Sequence, residues 1–225
     1  MRIDILTLFP EMFDGFLNTS IIKRARDEQC VDIRIHNIRD YSLDKHKRVD
    51  DYPYGGGAGM VLMCEPIFRA IDDIKTDNSL VIMMSPSGKV FKQEVALDLS
   101  KEKHLIILCG HYEGFDERIR TIVDMELSIG DYVLTGGEVP AMAITDAVTR
   151  LIPGVISKDS LDVESFNDGL LDYPNYTRPE EFRGMRVPEV LLSGHHKNIA
   201  QYRENERIRR TNEVRNDLTG GNNHE

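Results

Sequence analysis

The sequence predicts an α/β protein built on a parallel sheet, followed by a small helical region. Up to about residue 153, short apolar runs alternate with segments of helical periodicity, an order typical of strand–helix–strand units. The runs 80–84 (LVIMM) and 105–109 (LIILC) are apolar throughout, as expected for central parallel strands that helices cover on both faces. Beyond residue 192 strand alternation stops, and 198–214 has the pattern of a basic amphipathic helix.

Each element follows from the spacing of its apolar residues. Alternating or fully apolar runs predict strands at 2–8, 31–36, 79–85, 104–109 and 131–135. Helical spacing predicts helices at 11–29, 65–75, 92–103, 116–124 and 139–152. We therefore expect an α/β domain at 1–157, an interdomain linker rich in acids, serines and glycines at 158–172, and a small helical domain at 173–225.

The composition is that of a globular protein without a membrane span. Of the 225 residues, 40% are hydrophobic, and the longest apolar runs are far too short to cross a bilayer. The first strand reaches Asp4 after two residues, so we expect no signal peptide. Cys30, Cys64 and Cys109 are odd in number, scattered and without a CxxC motif. These features predict a protein of the reducing cytoplasm.

Charge is distributed unevenly along the chain. The net charge is −10, yet the segments 23–48 and 196–215 each carry a net charge of +3. These two basic islands fit either an RNA-facing surface or the solvated faces of helices, and charge alone leaves both interpretations open.

Three glycine-containing turns are predicted to meet at one edge of the sheet. They are MMSPSG (83–88), CGHYEG (109–114) and the glycine pair 136–137, and each one follows a predicted strand. Because ligands of open parallel sheets bind outside the carboxyl ends of the strands, we expect all three turns to form one site. A further glycine-rich loop lies at 49–60.

The chemistry of these turns disfavours a phosphate ligand. Neither a GxxxxGK[ST] nor a GxGxxG pattern is present, and residues 128–142 contain Asp131 and Glu138 but no Lys or Arg. Acidic glycine turns suit a neutral or cationic ligand that the backbone approaches closely, and S-adenosylmethionine, a sulfonium cation, fits. The alternative is that Gly136 and Gly137 only end a strand and begin a helix. That is the more common case for one turn, but less so for three turns at one edge.

Two other pairs of residues suggest catalysis or metal binding, but for both pairs a structural role is favoured. Cys109 and His111 could form a nucleophile with its base, but Gly110 interrupts the strand, so a buried, unreactive cysteine is favoured. His195 and His196 diverge as sequence neighbours and have no third ligand at suitable spacing, which predicts surface histidines and no metal site.

Seven motifs, taken together and in order, resemble one protein family. They are LTLFPEMF, VDDYPYGGGAGM, CGHYEGFDERI, SIGDYVLTGGEVPAM, RLIPGV, GLLDYPNYTRP and VLLSGHH. Between residues 6 and 196 the chain is similar to the TrmD family of bacterial tRNA (guanine-N1)-methyltransferases, which belongs to the SPOUT class. Any single motif is weak evidence, whereas seven in register are specific.

The resemblance implies a deep trefoil knot in the α/β domain, an exception to the unknotted rule, whose loops bind S-adenosylmethionine between the subunits of a homodimer. It implies methylation of ring nitrogen 1 of the guanine at position 37 of tRNA, beside the anticodon. By position, the cofactor-binding residues would be Met83, Met84, Ser85, Gly110, Tyr112, Glu113, Ser128, Ile129, Gly130, Tyr132, Leu134, Gly136, Gly137 and Pro140. The residues that contact guanine or tRNA would be Asp50, Gly57, Gly59, Asp172, Arg203, Arg207 and Arg210.

The resemblance also implies the two residues that perform the chemistry. Ring nitrogen 1 of guanine carries a proton at neutral pH, so methylation needs a general base and a group that stabilises charge developing on oxygen 6. The base position is Glu164, in the motif DVESF, where the family usually has aspartate. The cation position is Arg150, in RLIPGV. Asp162 and Asp159 are alternative bases in the same linker.

Residues 45–48 (KHKR) precede the loop 49–60, which in the family lies near the target base, and Ala58 stands in that loop where many relatives have proline. Two rival functions remain open. One is an RNA methyltransferase of the same class with another target, and the other is an RNA-binding regulator without catalysis. The linker carboxylate favours removal of a base proton, and the presence of both Arg150 and Glu164 favours an enzyme.

Overall fold

The protein forms two compact units, Met1–Ile156 and Ser157–Glu225. The structure is a computed structural model, and it describes residues 1–157, 161, 164–166 and 168–220. The first unit ends one residue before the predicted end of the α/β domain. The division of the second unit into a linker and a helical domain stays a prediction.

A five-stranded parallel sheet forms the first unit, and this fold class is the one that the sequence predicts. The strands of the unit are β1 (Arg2–Thr7), β2 (Asp32–Asn37), β3 (Asp50–Asp51), β4 (Val61–Leu62), β5 (Ser79–Val90), β6 (His104–Leu108) and β7 (Met125–Ser128). The order in the sheet is β2-β1-β6-β5-β7, and β3 pairs with β4 in a separate antiparallel ribbon.

The centre of the sheet is buried on both faces because helices cover it from both sides. The residues of β6 and the stretch 81–84 of β5 are all buried. Successive side chains of a strand point to opposite faces. Accordingly, Ile82 and Ile107 belong to one apolar cluster, whereas Val81 and Ile106 belong to the other.

The helices complete these two clusters. They are α1 (Asp14–Leu17), α2 (Ser20–Asp27), α3 (Cys64–Ile74), α4 (Gln93–Leu99) and α5 (Glu138–Thr149), with 3-10 helices at Pro10–Phe13, Ile38–Tyr41 and Glu117–Ile122. The last of these stands where an α-helix is predicted at 116–124. Helix α5 packs Ile144 into the Ile82 cluster, and α3 packs Ile67 into the Val81 cluster.

The predicted strand at 131–135 is wrong. Residues 131–135 form an exposed loop that leads to α5, and the fifth strand of the sheet is β7. Polar and apolar residues alternate in DYVLT (131–135), which is typical of a strand. The sequence of β7, MELS (125–128), is short and contains a glutamate, which is a weaker strand pattern. β7 is a strand because it pairs with β5 in register, Met125 opposite Ile82 and Leu127 opposite Met84. Tertiary pairing therefore overrides the local pattern.

The helix predicted at 11–29 is interrupted in its middle. The side chain of Asn18 donates to the carbonyl of Asp14 at 2.8 Å, and Thr19 donates to the carbonyl of Gly15 at 2.7 Å. These polar side chains satisfy carbonyls that backbone donors would otherwise reach, which favours the end of α1 and a new start at α2.

The second unit contains a short hairpin and helices. Its elements are β8 (Glu181–Phe182), β9 (Met185–Arg186), α6 (Glu189–Leu192), α7 (His196–Val214) and a 3-10 helix at Asn216–Thr219. Helix α7 is 19 residues long and contains the predicted basic helix. In the described part of the chain, no helix is both long enough and apolar enough to cross a membrane.

Candidate active site

A cavity of about 500 Å³ lies at the carboxyl ends of β5, β6 and β7 in the first unit. Its walls come from the segments 83–87, 110–117 and 127–137, with Arg120 and Pro140 beside them. All fourteen residues predicted to bind the cofactor are among the lining residues. The volume lies within the roughly 300–1,000 Å³ of small-molecule sites.

Other lining residues are not among those predicted. They are Pro86, Ser87, His111, Gly114, Phe115, Glu117, Arg120, Leu127, Val133 and Thr135. Most are sequence neighbours of predicted residues, so the motifs themselves mark them. Glu117 and Arg120 come from the 3-10 helix that follows the second turn, and nothing in the motif pattern separates them from ordinary surface charges.

Two of the turns are joined through their glycines. The backbone nitrogen of Gly137 donates to the carbonyl oxygen of Gly110 at 2.8 Å. A Cβ atom at position 137 would lie 2.7 Å from both the Cα of Cys109 and the nitrogen of Gly110. Because these atoms belong to the backbone and cannot move aside, only glycine allows this approach.

The third turn is an excursion within β5. Met84 and Lys89 both oppose Leu127, so residues 85–88 leave the ladder between them. At Gly88 a Cβ atom would lie 2.6 Å from the backbone nitrogen of Leu127. The excursion directs Ser85 toward the cavity, where its hydroxyl lies 2.8 Å from that of Ser87.

A buried glutamate directly follows the glycine pair 136–137. Glu138, the first residue of α5, is 1% exposed and accepts a 2.8 Å hydrogen bond from the Thr7 hydroxyl. Burial raises the pKa of the Cys109 thiol well above its usual value, and the charge of Glu138 raises it further. The thiolate of Cys109 is therefore disfavoured, as expected for a structural cysteine.

The cavity lining contains more acidic than basic side chains. Glu113 and Glu117 carry negative charges, and Arg120 forms ion pairs with Glu117, at 3.0 Å, and with Glu126. The guanidinium of Arg120 is thus offset by two carboxylates. Such a lining favours a cationic or neutral ligand over a phosphate.

The predicted guanine loop lies against the second turn. The nitrogen of Glu113 donates to the carbonyl of Met60 at 3.0 Å, and the nitrogen of Leu62 donates to the carbonyl of Gly114 at 2.9 Å. Asp50 is held to the same loop because β3 pairs with β4. Gly59 has a φ of +83°, and a Cβ atom there would meet the Glu113 carboxylate. Gly57 also has a positive φ, of 131°.

Charged residues before this loop are paired locally. Lys47 Nζ lies 2.7 Å from Asp40, and an Arg48 guanidinium nitrogen lies 3.1 Å from Asp44. Both basic side chains remain more than half exposed. They are therefore accessible to a polyanion.

The predicted base and cation lie in different units. Arg150 is half-buried and follows the last residue of α5, where its nitrogen donates to the carbonyl of Asp146 at 3.1 Å. Glu164 is half-buried, and its nitrogen donates to the carbonyl of Leu161 at 3.3 Å. The alternative bases Asp159 and Asp162 lie outside the described residues.

The predicted tRNA-contacting arginines of α7 differ in their surroundings. Arg203 is exposed and stacks over the Tyr173 ring at 4.6 Å. Arg210 is half-buried, donates to the Asp172 carbonyl at 3.3 Å and lies 3.8 Å from the Asp172 carboxylate. Arg207 is only 12% exposed and is ion-paired with Asp168 and Glu204.

Within residues 1–157, 161, 164–166 and 168–220, no group of three or more His, Cys, Asp or Glu side chains is placed to hold a metal ion. That the protein needs no metal stays a prediction.

Comparison with known proteins identifies the family. The family profile described as "tRNA (Guanine-1)-methyltransferase TrmD" matches residues 1–221. The tRNA (guanine-N(1)-)-methyltransferase of Staphylococcus haemolyticus is 58% identical over 221 residues, which cover 97% of this chain and 90% of the relative. The proteins of the same name from Dictyoglomus turgidum and Halalkalibacterium halodurans are 55% identical over 219 residues and 56% identical over 226 residues. These two matches cover 97% and 98% of this chain, and 89% and 92% of the relatives. The chain therefore belongs to the TrmD family of tRNA (guanine-N1)-methyltransferases.

Proposed function

We propose that this protein transfers a methyl group from S-adenosylmethionine to ring nitrogen 1 of the guanine at position 37 of tRNA. Family membership supports the reaction class. The observation that supports it most is the cavity itself, because three turns converge on it and contribute eight of the fourteen predicted cofactor residues. The other six come from the segment 128–134 and from Pro140.

The lining of the cavity fits this cofactor. The close approach of Gly137 to Gly110 leaves backbone groups, rather than side chains, to recognise adenosine, and the acids Glu113 and Glu117 favour a sulfonium. When bound, S-adenosylmethionine supplies an electrophilic methyl group on a cationic sulfur. Gly110, Leu134 and Gly136 would be among the residues that hold it.

The loop 49–62 would hold the guanine beside the cofactor. Its backbone hydrogen bonds to residues 113–116 support this, because they attach the loop to a wall of the cavity. Asp50 could accept hydrogen bonds from the guanine edge. Gly57 and Gly59 leave room for the base to approach the backbone.

Glu164 would accept the proton of ring nitrogen 1, which frees a lone pair for methylation. Arg150 would donate hydrogen bonds to oxygen 6, where negative charge develops as the proton leaves. Glutamate has the same acid chemistry as the aspartate usual in the family, with one more methylene. Contacts to tRNA phosphates would come from Lys47, Arg48, Arg203 and Arg210.

We also propose a homodimer with its active site at the subunit interface, a trefoil knot in the first unit and a cytoplasmic location. Family membership supports the knot and the cytoplasmic location. The dimer is supported by apolar side chains at the cavity rim that are exposed in the single chain, among them Tyr132 (55%), Val133 (83%) and Leu134 (40%). Such a patch is typical of an interaction surface.

Methyl transfer from labelled S-adenosylmethionine to an unmodified tRNA transcript tests the proposal. We expect one methyl group per tRNA, mapped by mass spectrometry of nuclease fragments to ring nitrogen 1 of guanine 37. A transcript with adenine at position 37 should take up no label. Label on a ribose hydroxyl would indicate the rival methyltransferase, as would transfer that occurs only when ribosomal RNA replaces the transcript. Binding of tRNA and cofactor without any transfer would indicate a non-catalytic regulator.

A further inference from the structure

The segment that carries the proposed base is hydrogen-bonded to helix α7 within the second unit. This segment, residues 164–166 and 168–172, is called the Glu164 segment below. Leu171 is its point of attachment. The nitrogen of Leu171 donates to the Thr211 hydroxyl at 2.9 Å, and the carbonyl of Leu171 accepts from the Nε of Arg207 at 3.3 Å.

Thr211 is the buried residue of α7, a helix whose 19 residues are all described. Its side-chain oxygen accepts from Leu171 and donates to the carbonyl of Arg207 at 2.7 Å. A buried hydroxyl that lost these two partners would be left unsatisfied, which costs more than the net gain of a typical hydrogen bond. The residue type is therefore explained by the Glu164 segment rather than by apolar packing.

Arg207 reinforces the same attachment. Its guanidinium contacts Asp168 of the Glu164 segment and lies 3.2 Å from Glu204 of its own helix. The hydrogen bond from Arg207 lowers the pKa of Asp168. With 12% of its side chain exposed and its donors directed to these partners, Arg207 is poorly placed to meet a phosphate.

The attachment extends to the residue next to the base. The nitrogen of Asp172, which follows Leu171, donates to the Ser165 hydroxyl at 2.9 Å, and that hydroxyl donates to the Asp172 carboxylate at 3.3 Å. The nitrogen of Phe166 donates to the carbonyl of Leu170 at 2.7 Å, which closes the turn. Hydrogen bonds therefore connect Asp172, the neighbour of Leu171, to Ser165, the neighbour of Glu164.

We infer that Thr211 and Arg207 are positioning residues that hold the Glu164 segment in one conformation and so orient the base for proton removal. This inference rests on the proposed function, in which Glu164 removes the guanine proton. It assigns to Arg207 a role other than phosphate contact. Misplacement of a reacting group by about 1 Å can lower a rate by roughly 100-fold, so the restraint has a measurable consequence.

The rate of single-turnover methyl transfer, measured at saturating tRNA and cofactor, tests this inference. Thr211→Val keeps the shape of the side chain and removes both hydrogen bonds, and we expect the rate to fall about tenfold or more. The tRNA dissociation constant should change less than twofold. Thr211→Ser should restore most of the rate. Thr219→Val is the matched control, because the Thr219 hydroxyl bonds to Asn212 and Asn216, outside the Glu164 segment.

Asp168→Asn provides a second variant, and we expect it to leave the protein folded because Asp168 is 54% exposed. It should lower the rate in the same way, with the thermal unfolding midpoint unchanged within a few degrees. In a double-mutant cycle, Thr211→Val should have little further effect on a protein that already carries Glu164→Gln, because no base remains to be oriented.

The outcomes separate this inference from the proposed function. If Glu164→Gln lowers the rate severely but Thr211→Val and Asp168→Asn leave it normal, the positioning role is overturned and the base assignment stands. If Thr211→Val weakens tRNA binding while the saturated rate is unchanged, the positioning role is again overturned. If Glu164→Gln has a normal rate, both the base assignment and this inference are overturned.

Discussion

The backbone nitrogen of Gly137 and the carbonyl oxygen of Gly110 form a 2.8 Å hydrogen bond that joins the turn after β6 to the start of α5. At this crossing a Cβ atom on residue 137 would lie 2.7 Å from the Cα of Cys109. The two walls of the cavity can therefore be this close only with glycine at position 137.

Gly137→Ala should therefore disrupt the proposed cofactor site. Overpacking of this kind costs about 1–3 kcal/mol, so the turns should separate and the dissociation constant for S-adenosylhomocysteine should rise about tenfold or more. Isothermal titration calorimetry measures this. Gly15→Ala is the control, since a Cβ atom there has no atom within 4 Å. Normal affinity of the position 137 variant would show that the crossing is not part of the binding site.

Glu164→Ala should reduce methyl transfer by about 100- to 10,000-fold, the usual contribution of a general base. The affinity for S-adenosylhomocysteine should be nearly unchanged, because the predicted cofactor residues belong to the first unit. Glu164→Asp should retain activity, since the family usually has aspartate there. Single-turnover rates provide the measurement, with the exposed acid Glu180 changed to alanine as control. A normal rate for Glu164→Ala would transfer the role of base to Asp162 or Asp159.

Arg150→Ala should lower the transfer rate without weakening tRNA binding. An arginine that stabilises charge only as the proton leaves contributes to the transition state and little to ground-state affinity. We expect a loss of about 100-fold, as for removal of one oxyanion donor. Rates measured at saturating tRNA and a separate binding assay give the two quantities. Equal losses in rate and affinity would instead indicate that Arg150 holds the substrate.

Neutralising Arg203 and Arg210 together should raise the tRNA dissociation constant and flatten its dependence on salt. Each phosphate contact that is lost reduces the slope of log affinity against log salt concentration by about one. Arg209→Gln is the control, because Arg209 is ion-paired with Glu206 and Glu213 on the same helix. A slope unchanged in the double variant would remove this surface of α7 from the tRNA contact.

Asp4 should stabilise the first unit in a way that depends on pH. This fully buried carboxylate contacts the Nε2 atoms of His36 and His104 and the Nε of Arg2, each at 2.6 Å. Burial alone would raise the pKa of Asp4, but these three contacts outweigh it and hold the pKa below its usual value. The folded protein therefore gains stability from the charged carboxylate.

Because the pKa of Asp4 is lower in the folded state, its contribution is complete above the unfolded value of about 3.9 and is lost as the pH falls through the folded value. Asp4→Asn should cost about 2 kcal/mol of unfolding free energy at pH 7. The difference from wild type should shrink below about pH 4. Denaturant unfolding at several pH values measures it, with the exposed Asp32→Asn as control. A difference that stays constant down to pH 3 would contradict the prediction.

Local motifs were sufficient for much of the candidate site. The turns around Met83 and Gly110 could be predicted because each follows an apolar strand, and parallel strands bring such turns to one edge. Gly136 follows a loop instead, and the individual predicted cofactor residues were implied by the resemblance of the motifs to the family. The strand β7 could not be predicted, since MELS is a weak pattern that becomes a strand only through its register with β5. The alternation of polar and apolar residues at 131–135 is also a local feature, and it predicts a strand where the structure has an exposed loop.

Composition, periodicity and ordered motifs are properties of neighbouring residues, so the sequence alone was enough to assign an α/β protein of the TrmD family. Which side chains meet across long separations could be learned only from the folded chain. The Thr211 hydroxyl accepts a hydrogen bond from the nitrogen of Leu171, 40 residues away, and Arg207 is paired with Asp168, 39 residues away. Such contacts depend on how the chain folds back on itself, so the same threonine and arginine look like ordinary residues of a basic helix until that fold is known.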